Sequence, residues 1–501
     1  FIERIGNKIP DITILFISAF LLVCVVSAVL AQIHFNYVHP ATGRPIEITN
    51  MLSGKALVDL MSKMVTNYAN FPPLSMVIVA TLGIGIADGS GYINTGLKKI
   101  LSITPKVLIT PVVILVGMLS HLGPDSGYVI IIPIAAYMFY AVGKHPLAGI
   151  AASFAGIAGA FAANYTPSAI DPVIQGFTQS AAQIIDPGYQ VNVLCNYFYA
   201  FASTFIVIGA CWWVTEKITN PWLWKACPLD DDLDLGNENN SSITPSENRA
   251  FKIATAVLLL MLTGLAAALY PADSILRAPD GVIASFKAPI MQSIVSLIFI
   301  LAALVGLVYG IACGKFKSPK DVTAAMEEIT KTLVQLIVFY FFAAQFLYAF
   351  GASNMGALIA VSGAEFLKSL NLPPQVTVFG IIVFVALLNL IITSASAKWA
   401  ILAPIFVPML MAVGIAPELT QVAFRVSDSA VNVVTPMFAF YPLIILYCQK
   451  YVKNAGIGTL SSMMLPYTIA LLVSLTFMLY LFWWLDIPLG FQADYVYPRR
   501  F

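Results

Sequence analysis

The chain is a succession of apolar runs separated by short polar segments. The first run, Ile12 to Ala31, is about twenty residues long, enough to cross a bilayer, and follows Glu3, Arg4 and Lys8. It is too long for a signal-peptide core and lacks a small-residue cleavage site, so it reads as a first span with its amino end in the cytoplasm. Further runs that can span lie near 73–88, 107–121, 191–214, 252–270, 290–313, 331–350, 433–449 and 459–485. The run 126–143 is either another span or a half-helix broken from its neighbour by Gly-Pro-Asp at 123–125. Two lysine-bearing amphipathic pieces, 91–101 and 318–331, have the pattern of helices that lie at the interface.

Two long apolar stretches are interrupted by polar residues at mid-membrane depth, and both read as re-entrant hairpins. The first, 147–185, starts with small residues that allow close backbone approach and is broken by Asn164-Tyr165-Thr166-Pro167-Ser168-Ala169-Ile170-Asp171-Pro172. The second, 375–413, is broken by Thr393-Ser394-Ala395-Ser396-Ala397-Lys398-Trp399. A helix broken in hydrocarbon leaves backbone groups unpaired unless they line a cavity. Freed carbonyls and hydroxyls then suit a dehydrated cation, and half-helix amino ends suit an anionic group.

Asn164 and Ser394 are 230 positions apart, and polar interruptions at matching offsets on either side predict a duplicated unit. Inversion of that unit needs an odd number of crossings between the breaks; four runs are clear and 353–371 is the fifth candidate. The acidic, Asn-Ser-rich stretch 225–250, with Asp230, Asp231, Asp232 and Asp234, divides the chain into membrane halves 1–224 and 251–501.

Composition narrows the class. Of 501 residues 59% are hydrophobic and 10% charged, against roughly 25% charged in soluble domains, which leaves an all-α polytopic membrane protein. A net charge of +1 offers no basic excess for nucleic acid. The six cysteines form no CxxC, the four histidines have no metal-ligand spacing, and no P-loop, GxSxG or HExxH occurs, so ATP-driven pumping and hydrolysis lack support.

Four charges stand within or beside the interruptions: Asp171, Lys398, Arg425 and Asp428. A charge at mid-membrane costs about 2.5–3.5 kcal/mol on insertion scales and normally faces a partner or a watery cavity. Arg425 and Asp428, at i and i+3, can neutralise each other on one helical face. Alternatively, Asp428 joins a cation site while Arg425 or Lys398 faces a substrate carboxylate. Asn164, Thr166, Asn389, Ser394 and Asp428 supply hard oxygen donors of the kind sodium prefers. Ser396 belongs to the same polar break, Trp399 can stack on an aromatic ring, and Pro417 and Pro436 end or bend helices. A channel would need a continuous polar pore. An intramembrane enzyme would need a nucleophile and base beyond the two aspartates. Transport is the reading these residues favour.

The run Ser394-Ala395-Ser396-Ala397-Lys398-Trp399-Ala400, with Pro417, Arg425-Val426-Ser427-Asp428-Ser429, Pro436 and the first break, resembles the p-aminobenzoyl-glutamate transporter (AbgT) family over essentially the whole chain. The resemblance implies nine transmembrane helices plus two re-entrant hairpins, in a homodimer in the bacterial inner membrane. It implies cation-coupled transport, by Na+ or H+ and without an organic cofactor, of small aromatic carboxylates or sulfonamides: p-aminobenzoyl-glutamate, p-aminobenzoate or antimetabolites. It singles out Asp171, Asn389, Ser396, Trp399, Pro417, Arg425, Asp428 and Pro436. A sodium-coupled di- or tricarboxylate carrier with similar hairpins is the alternative.

Overall fold

A computed structural model describes residues 12–38, 43–122, 126–230, 243–285 and 287–498. It is helical, and among the described residues the only extended pairings are two isolated bridges, Val38 with Pro45 and Ile415 with Val496. Among the described residues, seven helices are long and apolar enough to cross a membrane.

The first half contains α1 (Ile12–Leu30), α2 (Gly54–Ala69) and α3 (Pro72–Ser90), then a short arm, α4 (Tyr92–Ser102), that starts where Gly91 takes a left-handed φ of 94°. Next come α5 (Ile109–Leu119) and α6 (Ser126–Ala141). Then follow α7 (Pro146–Phe154) with a π-helical turn to Gly159, and α8 (Ile170–Ala182). The half ends with α9 (Tyr197–Val214), continued by a π turn into α10 (Asn220–Ala226).

The second half runs α11 (Pro245–Leu269), α12 (Pro289–Gln292), α13 (Ile294–Ala312), α14 (Pro319–Lys331), α15 (Val334–Ala352) and α16 (Met355–Ser369). It continues with α17 (Pro374–Asn389), α18 (Ala395–Met411), α19 (Pro417–Val431), α20 (Tyr441–Gln449) and α21 (Ile457–Trp484). Helix starts follow local chemistry. Pro72, Pro146, Pro374 and Pro417 occupy first-turn positions where a missing N–H costs nothing, and Thr244 with Glu247 closes a capping box at α11.

Contacts at the helix ends sort the hairpins from the crossings. α9 and α21 are antiparallel, with the Tyr199 hydroxyl donating to Leu475 O and Thr215 bonded to Tyr467. One face of the protein therefore holds the end of α10 and the start of α21, and the opposite face holds the end of α21. α5 starts beside Glu216 and α6 ends three residues before Lys144, which pairs with Glu216, so both arms open on the α10 face. Eleven residues of α5 rise about 16 Å, half the hydrocarbon thickness. α5–α6 is thus a re-entrant hairpin.

α7 starts on that same face, where His145 meets Cys227 O, but α8 ends on the other, where Asp186 accepts from the Tyr497 hydroxyl. The stretch 147–185, expected as a re-entrant hairpin, is therefore a broken crossing, and the hairpin of this half is 109–141. The physical reason is that α6 already packs antiparallel on α7, so the chain after the break has no room to return: a Cβ on Gly149 would lie 2.4 Å from Ala135 O.

The second stretch, 375–413, turns back towards the face it enters from. Gln375 O, at the start of α17, accepts from Tyr480 near the end of α21, and Ala416 N, after α18, donates to Tyr495 O on the same face. α19 and α20 then cross in two pieces, α20 ending near Lys453, whose N–H bonds Asp230. The run 433–449 is accordingly half a span, because residues 432–440 are not helical.

Each half thus runs arm, hairpin, broken crossing, straight crossing, with the hairpins opening on opposite faces. The arms are α4 and α16; α16 meets α17 at a 117° bend. The 230-residue offset read from the sequence aligned a broken crossing with a hairpin, and the pairing seen here replaces it.

The halves 1–224 and 251–501 are not separate bodies: α3 packs on α13, α1 on α15, α8 on α18 and α9 on α21. α3 and α13 lie close enough that a Cβ on Gly83 would sit 2.4 Å from Phe299 O. Of the linker 225–250, residues 231–242, with Asp231, Asp232 and Asp234, lie outside the described residues, as do Glu3, Arg4, Lys8 and the hairpin tip 123–125.

The α10 face collects Lys98, Lys99, Lys106, Lys144, Lys217, Lys225, Arg249, Lys252, Lys315, Lys317, Lys320, Lys450 and Lys453, tied together by Lys99 to Asn248, Lys144 to Glu216 and Lys453 to Asp230. The opposite face carries Arg44, Lys55, Lys63, Arg277, Lys287 and Lys368. Cytoplasmic loops carry the Lys/Arg excess, and the α10 face has that pattern.

Candidate functional site

The breaks at 160–169, 390–394 and 432–440 converge on α19, every residue of which is buried. Arg425 and Asp428 lie one turn apart on it, and they do not pair with each other as their spacing allows. Arg425 Nη1 is 2.7 Å from Asp171 Oδ1 at the start of α8, and Asp428 Oδ1 is 2.6 Å from Lys398 Nζ in the first turn of α18. Cross-element pairs win because each break brings an opposite charge to α19 that would otherwise be buried alone, a penalty of several kcal/mol. α19 therefore ties the first-half break to the second-half hairpin.

Each break also satisfies its own backbone. Asp171 Oδ2 accepts from Ser168 N at 2.7 Å and Ser168 Oγ at 3.1 Å, placing a carboxylate at the amino end of α8 where the helix dipole favours it. Ser394 Oγ accepts from Ala397 N and caps α18, and lies 3.4 Å from Ser396 Oγ. Asn389 Nδ2 donates to Asp428 O at 2.8 Å and Asn432 Oδ1 at 3.0 Å, while its Oδ1 accepts from Lys398.

Trp399 is wholly buried, stacked on Phe424 at 4.5 Å, and donates to Thr178 Oγ1 at 2.9 Å. Thr178 donates to Gln421, which donates to Asn196 Oδ1 at 2.6 Å, and Asn196 donates to Glu418 O. Pro417 begins α19, and Pro436 lies in the non-helical stretch between α19 and α20.

The expected cation donors fall into two groups. Asn389 and Asp428 surround the Lys398 ammonium, and Ser394 caps α18. Asn164 and Thr166 instead line a small void with Asp171, Asn196 and Arg425. Asn389 Oδ1 accepts from Lys398 and Asp428 Oδ1 forms the ion pair with it, whereas Asp428 Oδ2 is buried with neither a hydrogen bond nor an ion pair among the described residues. That carboxylate oxygen keeps lone pairs that no protein group takes up among the described residues.

Beside the breaks lies a cavity of about 340 Å³, within the range of small-molecule sites. Its walls include Tyr128, Phe161, Phe438 and Phe440, with Tyr128 and Phe440 stacked at 4.1 Å. Its polar rim includes Ser120, His121 and Ser168, at the first hairpin and the amino end of α8. His121 is held by Ile157 O at 2.5 Å and by Asn164 at 3.3 Å. Sequence reasoning missed these wall residues. His121 preceding Gly-Pro-Asp was the available signal, whereas Tyr128, Phe438 and Phe440 look like ordinary core aromatics until the chain folds.

Two opposed hairpins, two broken crossings and a buried, charge-paired centre define a membrane transporter of the hairpin-containing class. The chain belongs to the AbgT putative transporter family, whose model matches residues 1–497. It is 32% identical over 500 residues to the p-aminobenzoyl-glutamate transport protein of Escherichia coli K12, covering 99% of this chain and 96% of that one. Among solved structures it is similar to the YdaH transporter of Alcanivorax borkumensis, with a TM-score of 0.90 and 37% identity over 96% of this chain and 100% of that one. It is also similar to MtrF of Neisseria gonorrhoeae, described within a class of antimetabolite efflux pumps, with a TM-score of 0.91 and 39% identity over 98% and 99% of the two chains. These relatives are transporters or efflux pumps and not enzymes, and this chain is a multi-pass membrane transporter.

Proposed function

We propose that the protein is a cation-coupled secondary transporter of p-aminobenzoyl-glutamate- or p-aminobenzoate-like aromatic carboxylates that also exports sulfonamide antimetabolites, working as a homodimer in the bacterial inner membrane. The observation that carries this reading is the aromatic-walled cavity beside the amino end of α8. An arene packs between Tyr128, Phe161, Phe438 and Phe440, and a carboxylate or sulfonyl group takes the end with His121, Ser168 and the α8 dipole. A small dicarboxylate would leave most of that aromatic wall uncovered, which favours the aromatic substrate over the dicarboxylate alternative. Trp399 is closed off by Phe424 and Thr178, so it packs in the core and leaves the aromatic contacts to the cavity wall.

The coupling ion, Na+ or H+, belongs at Asp428, where Oδ2 is free to accept it. Cation and substrate together bias the inward–outward equilibrium by their differential affinity for the two states. Uptake and efflux of labelled p-aminobenzoate and a sulfonamide in proteoliposomes, with sodium and proton gradients imposed separately, test this. Flux that follows one gradient and is lost in Asp428→Asn is expected. Flux of dicarboxylates but of neither aromatic compound would overturn the substrate.

A further inference from the structure

A second cavity among the described residues lies away from the proposed transport site and shares none of its lining residues. It measures about 630 Å³ and opens at the α10 end of α9, lined by Lys106, Lys144, Trp212, Trp213, Glu216 and Lys217 among others. Lys144 and Glu216 pair with each other, and Glu216 also accepts from Thr110, so that couple adds no net charge. Lys106 and Lys217 are exposed and have no carboxylate partner among the described residues, which leaves two uncompensated positive charges at the mouth.

Above them the outer surface of α9 carries Phe201, Phe205, Gly209 and Trp213 at four-residue intervals, one stripe along the helix. Phe201, Phe205 and Trp213 are 44%, 65% and 59% exposed, and a Cβ placed on Gly209 would meet nothing within 4 Å. The stripe is an exposed apolar track with a gap at Gly209, which lines the cavity beside Trp212, Trp213 and the basic mouth. Tryptophans at headgroup level mark the membrane interface, and juxtamembrane lysines attract anionic headgroups.

We infer that this cavity is a binding site for one anionic phospholipid. The phosphodiester sits between Lys106 and Lys217 beside the Trp212 and Trp213 indoles, and an acyl chain follows Gly209, Phe205 and Phe201. The lipid bridges α9 and the start of the α5–α6 hairpin, the two elements that meet at Glu216 and Thr110.

Native mass spectrometry of the purified transporter in detergent, titrated with phosphatidylglycerol, phosphatidylcholine or inorganic phosphate, tests the assignment. Retention of one phosphatidylglycerol at concentrations where phosphatidylcholine is stripped is expected. The double variant Lys106→Gln/Lys217→Gln should lower that retention by about 10-fold or more, since each lysine contributes to headgroup attraction. Gly209→Trp, which fills the gap and leaves the charges, should lower it as well. A melting-temperature rise with phosphatidylglycerol should be smaller in both variants. Equal retention of the two lipids, unchanged retention in the double variant, or an equal thermal shift with inorganic phosphate would each overturn the lipid site.

Discussion

At the residue scale, the centre of the protein is a pair of crossed ion pairs. Lys398 and Asp428 are fully buried and partnered, so removing one leaves the other charged and alone, a loss of about 3–5 kcal/mol. Lys398→Met should therefore lower thermal stability sharply, and Lys398→Met/Asp428→Leu should recover most of it without recovering flux. Flux restored in the double variant would make the pair a strut with no part in transport. Trp399 gives a second test. Trp399→Phe keeps an aromatic face for Phe424 but drops the bond to Thr178, a loss of about 0.5–1.5 kcal/mol, whereas Trp399→Ala opens a void at about 3–5 kcal/mol. Thermal melts of the two variants, ranked in that order, would support its role in packing α18 against α19 and α8; equal melts would not.

At the element scale, function depends on short helices that cannot cross alone. α5 and α7 meet so closely that a Cβ on Gly156 would lie 2.4 Å from Ile114 O, while Gly264 in α11 faces open space. Gly156→Ala should cost about 1–3 kcal/mol by overpacking. Gly264→Ala should be neutral or gain up to about 1 kcal/mol through helix propensity. Denaturation of both variants in the same detergent checks this, and equal stabilities would contradict the close approach. Both polar breaks were legible in the sequence because each combines prolines or hydroxyl residues with charges inside apolar runs. Their different geometries were not legible. The break at 160–169 is passed through and that at 390–394 turns the chain back, a difference set by which neighbour occupies the return path.

At the scale of the whole molecule, the faces are distinguished by their cations. Single cysteines at Lys315 and at Asp280, in a background with the native cysteines replaced, should react oppositely with a membrane-impermeant maleimide added to intact cells. Position 280 should be labelled from outside and position 315 only after lysis. The reverse pattern would invert the orientation. Charges spread over many loops do not fix the topology along the chain, because α16 reads as a fifth crossing between the breaks until its packing shows it to be an arm.

The sequence by itself determined the class, the helical content, the polar breaks and the buried charges, because hydrocarbon enforces them: a helix must be apolar for about twenty residues, and an exception must have a partner. Only the tertiary structure decided who those partners are. Arg425 and Asp428 are neighbours on one helix, yet they reach for Asp171 and Lys398, since a buried charge pairs with whatever opposite charge the fold delivers to it. The same holds for the cavity, whose aromatic wall joins Tyr128 to Phe440 across three hundred residues of chain, a proximity that no local pattern records.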